Sequence, residues 1–146
     1  MPGINNDAPL VIIGDADGLI ALLQEDDGNH DKAVQISQYC VEQHAEVIFP
    51  LTAIVEAVTT LHRRLNNPKL AEIVRQQTID GRLVIEEITR EMLTQASALF
   101  NPFGAKKHTL FDAVVAVVAR KYDAAAIFSF DKWYSKVGLK LASEVL

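Results

Sequence analysis

The chain has 146 residues, of which 49% are hydrophobic and 23% charged, and its formal net charge is −5. This length fits one domain spanning residues 1–146, which can bury a stable core without disulfides or a structural metal. No apolar run approaches the roughly 20 residues of a membrane span, and the negative charge disfavours nucleic-acid binding by bulk electrostatics alone. The single cysteine, Cys40, excludes an internal disulfide and fits a reducing, cytoplasmic location. The polar start, Met1–Pro9, lacks a basic n-region, so no signal peptide is expected.

Apolar runs and helical periodicities alternate along the chain. In chain order they predict a strand at 10–13, a short helix at 19–23, a helix from His30, a strand at 47–49, a helix at 52–65, a helix from Pro68, a strand at 83–85, helices at 89–100 and 109–122, a strand at 124–128 and a short final strand at 139–141. The first strand is continuously apolar, which is typical of a strand buried on both faces. The alternation predicts a parallel α/β sheet with helices on both faces.

Acidic side chains stand where these predicted elements end or begin. Asp15 and Asp131 follow the first and fourth strands, whereas Glu56 and Asp112 lie near the starts of helices. In parallel α/β folds ligands bind beyond the carboxyl ends of the strands, where the following helices also begin, so these four carboxylates can meet. Mg²⁺ and Mn²⁺ prefer oxygen ligands, and such an ion activates water and stabilises charge on a phosphodiester. The sequence therefore predicts a hydrolytic metal site.

Three of these carboxylates also have a purely structural interpretation. Asp15 can cap the helix that follows it, and Asp131 can be a turn residue after a strand. Asp112 stands three residues after Thr109, the spacing of a capping box. For Asp17, helix capping and a supporting role in the site are about equally favoured interpretations. Each signal is weak alone, and the argument for a site depends on the four carboxylates together.

Basic residues can affect the predicted metal site in two ways, by pairing with Glu56 or by contacting the phosphates of a substrate. Glu56 is flanked by apolar residues, which favours a site role, but it can instead pair with Arg63 or Lys69. The candidates for phosphate contacts are two basic pairs, each with solvated surface charge as its default interpretation: Arg63, Arg64, Lys106 and Lys107.

Aromatic and histidine side chains give a weaker signal. Trp133 and Tyr134 follow Asp131 and can stack on a base, but packing beneath the last strand is the favoured interpretation. The four histidines are scattered without zinc-site spacing. His108 precedes Asp112 and is expected at the helix start or in solvent.

Four blocks of the chain resemble the PIN-domain family (the PilT N-terminal type), which includes the VapC toxins. The resemblance extends over nearly the whole chain, and each block holds one of the carboxylates: residues 11–23 with Asp15, 49–57 with Glu56, 109–116 with Asp112, and 127–134 with Asp131. His30 also matches a common feature of the family. Ala16 and Asp17 depart from the usual Thr and Ser or Asn, and Ser129 replaces the commoner Thr.

The resemblance implies a three-layer α/β/α sandwich with a short, mostly parallel central sheet. It implies Mg²⁺- or Mn²⁺-dependent hydrolysis of RNA phosphodiesters, with metal held directly or through water by Asp15, Glu56, Asp112 and Asp131. Ser129 and Asp17 would support that cluster. The resemblance further implies an antitoxin protein that restrains a toxin, and a homodimer, with no membrane association.

Two other functions remain open at this point. A haloacid-dehalogenase-type phosphatase is echoed in residues 15–18, where Asp15 would be the nucleophile and Asp17 the general acid. That match breaks at Leu19, and no paired-acid motif follows the last clear strand. The second alternative is an inactive PIN scaffold that serves as a binding module, against which the presence of all four carboxylates argues.

Overall fold

A four-stranded, all-parallel sheet lies at the centre of the computed structural model, which describes residues 8–146. The prediction made for Met1–Pro9 concerns residues that lie mostly outside this range. The elements are β1 (Val11–Gly14), α1 (Ala16–Leu23), α2 (His30–Glu42), β2 (Glu46–Pro50), α3 (Leu51–Thr59), α4 (Pro68–Ile79), β3 (Val84–Glu86), α5 (Arg90–Leu99), α6 (Leu110–Lys121), β4 (Ala126–Phe128), α7 (Trp133–Lys136) and α8 (Ala142–Val145). A π-helical turn, Thr60–Arg64, continues α3.

The strand order is β3-β2-β1-β4, so β1 lies between its two parallel neighbours β2 and β4. Ile13 is opposite Ile48 on one side and Ile127 on the other. Because all strands run the same way, the residues that follow β1 and β4 emerge at one edge of the sheet. The backbone confirms this, since the amide of Asp15 donates to the carbonyl of Phe128 at 3.2 Å.

Helices cover both faces of the sheet, which gives the three-layer architecture. Helices α5 and α6 pack on one face, where the run of valines in α6 is buried against Ile13 and Ile127. Helices α1 to α4 and α8 cover the other face through two further apolar clusters. Alternate strand residues therefore point to opposite layers, as the pleat of a strand requires.

Two predicted elements differ from the structure. The final strand predicted at 139–141 is reduced to one isolated parallel bridge between Leu141 and Ile127. Gly138, at φ +86°, turns the chain immediately before it, so too little extended chain remains for a ladder. The helix predicted at 52–65 ends as an α-helix at Thr59 and passes into the π turn.

Gly18 is the position where the sheet and α1 come closest. A Cβ at this residue would collide with the carbonyl oxygen of Phe128 and lie 2.9 Å from its carbonyl carbon. Both atoms are backbone, so a rotamer change cannot relieve the contact. The glycine of the Asp15–Gly18 segment is thus required by the approach of α1 to β4. In the described part of the chain, no helix is long and apolar enough to cross a membrane.

Candidate active site

Five acidic side chains line one cleft of about 180 Å³ at the carboxyl edge of the sheet. The residues that form its walls come from the position after β1, from α1, α3, the π turn and α6, and from the loop after β4: Asp15, Ala16, Asp17, Ile20, Glu56, Thr60, Arg64, Asp112 and Asp131. All four carboxylates predicted to act together therefore share this cleft. Asp17, the candidate supporting residue, shares it as well.

Asp15 is the most enclosed of these carboxylates, with 4% of its surface exposed. It follows β1 and caps α1, since its Oδ1 accepts from the amide of Ala16 at 2.7 Å. Its Oδ2 accepts from the hydroxyl of Tyr134 at 2.6 Å. Burial raises the pKa of Asp15 well above its ordinary value, and the charge of Asp17 adds to the rise, while the two hydrogen bonds oppose it. The capping role and a place in the cleft thus coexist.

Asp17 holds the loop that carries Asp131. Its Oδ2 accepts from the hydroxyl of Ser129 at 3.0 Å and from the amide of Phe130 at 2.8 Å. The hydroxyl of Ser129 in turn accepts from the amide of Asp131 at 3.1 Å. These three contacts fix the chain after β4 relative to α1. Burial raises the pKa of Asp17, and its hydrogen bonds oppose that rise.

Asp112 sits in the first turn of α6, where the capping box predicted with Thr109 is present. The amide of Thr109 donates to its Oδ2 at 2.9 Å. Only 9% of the Asp112 surface is exposed. Burial raises the pKa of Asp112, the hydrogen bond from Thr109 lowers it, and the nearby charge of Asp131 raises it further.

Glu56 reaches the cleft from the middle of α3, and no ion pair within residues 8–146 compensates its charge. The ion pairs found in that range join Arg75 to Glu72 and Lys121 to Glu86, so Glu56 does not pair with Arg63 or Lys69. Burial raises the pKa of Glu56 to about 7, and the charges of Asp112 and Asp17 contribute to the shift. A cation that enters the cleft would therefore stabilise the ionised form of Glu56.

One of two neighbouring arginines at the end of α3 lines the cleft. Glu56, Thr60 and Arg64 follow one another at intervals of four residues, the spacing of one face of a helix. The backbone bond from the amide of Leu65 to the carbonyl of Thr60 spans five residues, as a π turn requires. Arg64 lines the cleft and Arg63 does not. Lys106 and Lys107 lie exposed in the loop before α6.

Tyr134 makes a contact that the sequence does not reveal. Its side chain is fully buried, in line with the predicted packing beneath the last strand, yet its hydroxyl donates to the Asp15 carboxylate 119 residues away in sequence. A buried hydroxyl needs a partner, and here that partner fixes the rotamer of Asp15. In the sequence, Tyr134 is marked only by its position three residues after Asp131, and that position does not indicate a contact with Asp15.

The donor set suits a hard divalent cation by its chemistry. The carboxylates bring oxygen ligands only, and the raised pKa values of Asp15 and Glu56 indicate that enclosing these two groups without a cation is costly. As the side chains stand, no three Asp, Glu, His or Cys residues of the described chain form a group that could hold one ion. Asp15, Asp112 and Asp131 are turned towards Tyr134, Thr109 and the amide of Trp133. Binding an ion therefore requires these carboxylates to rotate or to bind through water.

Comparisons with known proteins agree with this architecture. The model of the PIN domain family matches residues 12–140. The crystal structure of Mycobacterium tuberculosis VapC20, a toxin that cleaves the sarcin-ricin loop, superposes with a TM-score of 0.75. The two chains are 20% identical over 88% of this chain and 95% of that one. No curated protein sequence matches the chain significantly.

Proposed function

Because the chain belongs to the PIN domain family, we propose that it is a divalent-metal-dependent endoribonuclease that hydrolyses RNA phosphodiesters in the carboxylate cleft. The observation that carries this proposal is the convergence of Asp15, Glu56, Asp112 and Asp131 on one cleft without a compensating ion pair among the described residues. A haloacid-dehalogenase phosphatase is disfavoured, since Asp17 accepts three hydrogen bonds from protein groups and Gly18 is explained by packing.

In this proposal Asp15, Glu56, Asp112 and Asp131 hold Mg²⁺ or Mn²⁺, directly or through water. When bound, such an ion supplies positive charge that attracts the phosphodiester and lowers the pKa of water. Tyr134 keeps Asp15 in place, and Asp17 with Ser129 keeps Asp131 in place. The pKa of Glu56, raised to about 7 in the metal-free cleft, would be lowered by a bound cation, which would hold this carboxylate ionised.

We further propose that the protein is a toxin of the VapC kind, restrained by an antitoxin protein, and that it acts in the cytoplasm as a homodimer. The fold shared with VapC20, itself a toxin, supports this. Expression of the free protein in cells should then arrest growth, and co-expression with its antitoxin should relieve the arrest. Harmless expression without a co-purifying partner would count against the toxin assignment and leave the nuclease assignment standing.

The nuclease proposal is tested by cleavage of a mixed RNA pool with Mn²⁺ or Mg²⁺, with and without EDTA. We expect the wild type to cut only with metal and Asp112→Asn to lose roughly 10³-fold in rate, because one anionic ligand becomes neutral. The amide oxygen of the substituted side chain can still accept from Thr109, so the capping box should survive. Equal cutting by wild type and variant would refute the role of Asp112. If both were inert, turnover of a phosphomonoester that depended on Asp15 would favour the phosphatase instead.

Arg64 is our candidate for the contact with the RNA backbone. Its side chain lines the cleft together with the carboxylates, and a guanidinium binds phosphate oxygens in a bidentate manner. The net charge of −5 leaves the chain dependent on such local cations to approach a polyanion.

Arg64→Gln should raise KM for RNA by roughly tenfold and reduce the salt dependence of binding by about one phosphate contact. Arg63→Gln is the matched control, because it removes the same charge one residue earlier, outside the cleft. The measurement is steady-state cleavage together with filter binding across a salt series. Equal effects of the two substitutions would show that the position of Arg64 in the cleft gives it no special contact with RNA.

A further inference from the structure

A second concavity, of about 170 Å³, lies beside the carboxylate cleft and is unused by the proposed chemistry. The loop before α6 and the turn after β4 form its walls: Leu99, Phe100, Asn101, Gly104, Ala105, His108, Thr109 and Trp133. We call this concavity the loop pocket.

Two residues of the loop pocket are hydrogen-bonded to carboxylates of the cleft. Thr109, in its lining, is the N-cap of α6 and donates its amide to Asp112. Trp133, also in its lining, donates its amide to Oδ1 of Asp131 at 2.9 Å. A group that occupies the pocket is therefore adjacent to the site where the phosphodiester would be cut.

Two aromatic rings define the pocket chemically. The ring centroids of His108 and Trp133 are 5.8 Å apart and the ring planes are tilted by 31°, and both residues line the pocket. Trp133 is half-buried and is supported from behind by Tyr134, with the ring centroids 5.3 Å apart. Its orientation is therefore fixed before any ligand binds, which lowers the entropic cost of stacking.

The opposite wall adds a polar group and positive charge. Oδ1 of Asn101 accepts from the amide of Phe103 at 3.0 Å, which leaves the side-chain Nδ2 of Asn101 to donate to a ligand. Lys106 and Lys107 lie exposed in the same loop. An aromatic face, an amide at the side and cations at the rim are the groups that recognise a single-stranded base and its phosphates.

We propose that the loop pocket is a nucleobase subsite, which holds a base that flanks the scissile phosphodiester. The base stacks on Trp133 and His108, Asn101 reads its edge, and Lys106 or Lys107 contacts a neighbouring phosphate. At about 170 Å³ the pocket is smaller than sites for drug-sized ligands, which take roughly 300 Å³ or more, and it suits one planar ring system. The inference rests on the proposed nuclease function and names the part of its substrate that gives selectivity.

Trp133 is the only tryptophan of the chain, so its fluorescence reports on the pocket directly. The experiment titrates RNA tetramers of a single base type into the Glu56→Gln variant with Mg²⁺, where cleavage is suppressed and Trp133 is intact. We expect saturable quenching, with affinities that differ at least fivefold between base types. A tetramer with abasic central positions keeps the phosphates and should not quench. Equal quenching by the abasic tetramer would overturn the proposal.

A second arm maps cleavage in an RNA pool and does not depend on fluorescence. His108→Ala should weaken the preference for the flanking base at least fivefold while leaving metal dependence intact. Phe103→Ala is the matched control, because Phe103 lies in the same loop but is 95% exposed and outside the pocket lining. Unchanged site preference in His108→Ala, or an equal loss in Phe103→Ala, would contradict the subsite.

The two proposals fail in different ways. Metal-dependent cleavage without base-dependent quenching would remove the subsite and keep the nuclease. Base-dependent quenching in a protein that never cleaves would keep the subsite and remove the nuclease. Quenching by a partner protein but by none of the tetramers would identify the pocket as a protein contact and overturn our assignment.

Discussion

Asp15→Asn is expected to abolish RNA cleavage, by roughly 10³-fold or more, and at the same time to stabilise the metal-free protein. The loss follows from the removal of a buried negative charge that we propose helps to hold the metal. The gain follows because burial and the charge of Asp17 penalise the ionised Asp15. The side-chain amide can keep both local contacts, since its oxygen can accept from Ala16 while its nitrogen donates to the Tyr134 oxygen.

The pH dependence of the stability gain has a definite sign. The folded pKa of Asp15 is raised, so a neutral Asp15 stabilises the fold at low pH, and this stability is lost as pH rises through the folded pKa. The variant should therefore match the wild type below about pH 4, where the carboxyl is protonated in both states, and exceed it by more than about 1 kcal/mol at pH 8. Thermal unfolding in EDTA at both pH values measures this. A variant less stable at pH 8 would mean that the hydrogen bonds of Asp15 outweigh its burial cost.

Gly18→Ala should reduce the free energy of unfolding by about 3 kcal/mol or more, which is at the upper end of the cost of overpacking a protein interior. The new Cβ meets the backbone carbonyl of Phe128, so α1 must move away from β4. That movement also pulls Asp17 from Ser129 and loosens the loop that carries Asp131. Urea unfolding followed by circular dichroism gives the change in the free energy of unfolding.

Gly28→Ala is the matched control for this substitution. Nothing lies within 4 Å of a Cβ at Gly28, and its φ is not among the positive values. Its stability should change by less than about 0.5 kcal/mol. A comparable loss at both positions would show that the glycine of the Asp15–Gly18 segment is not held by packing against β4.

The layers and the sheet could be predicted because their signals are local. Composition alone predicts that the apolar run at 10–13 and the valine-rich helix at 109–122 are buried. Most of their apolar side chains are buried in the structure. The predicted strand at 139–141 was wrong in extent, because the turn at Gly138 leaves only one parallel bridge, between Leu141 and Ile127.

The gathering of Asp15, Glu56, Asp112 and Asp131 followed from topology, since parallel strands deliver their ends to one edge. What sequence could not supply was the contacts made across long separations. The hydrogen bond between Tyr134 and Asp15 depends on where α7 docks. Arg63 and Arg64 are both candidates for phosphate contacts in the sequence, and the structure places Arg64 alone of the two in the cleft lining.

The sheet order also determines when the carboxylate cleft can be complete during synthesis. Strand β1 pairs with β4, more than a hundred residues later in the chain, and Asp131 is delivered only by the segment that follows β4. Contacts this distant in sequence carry a large entropic cost of loop closure and form slowly. A ribosome-bound chain that has exposed β1 to α6 holds three of the four carboxylates but lacks the turn that closes the cleft. The order of strands thus delays the complete cleft until the segment after β4 has emerged and folded.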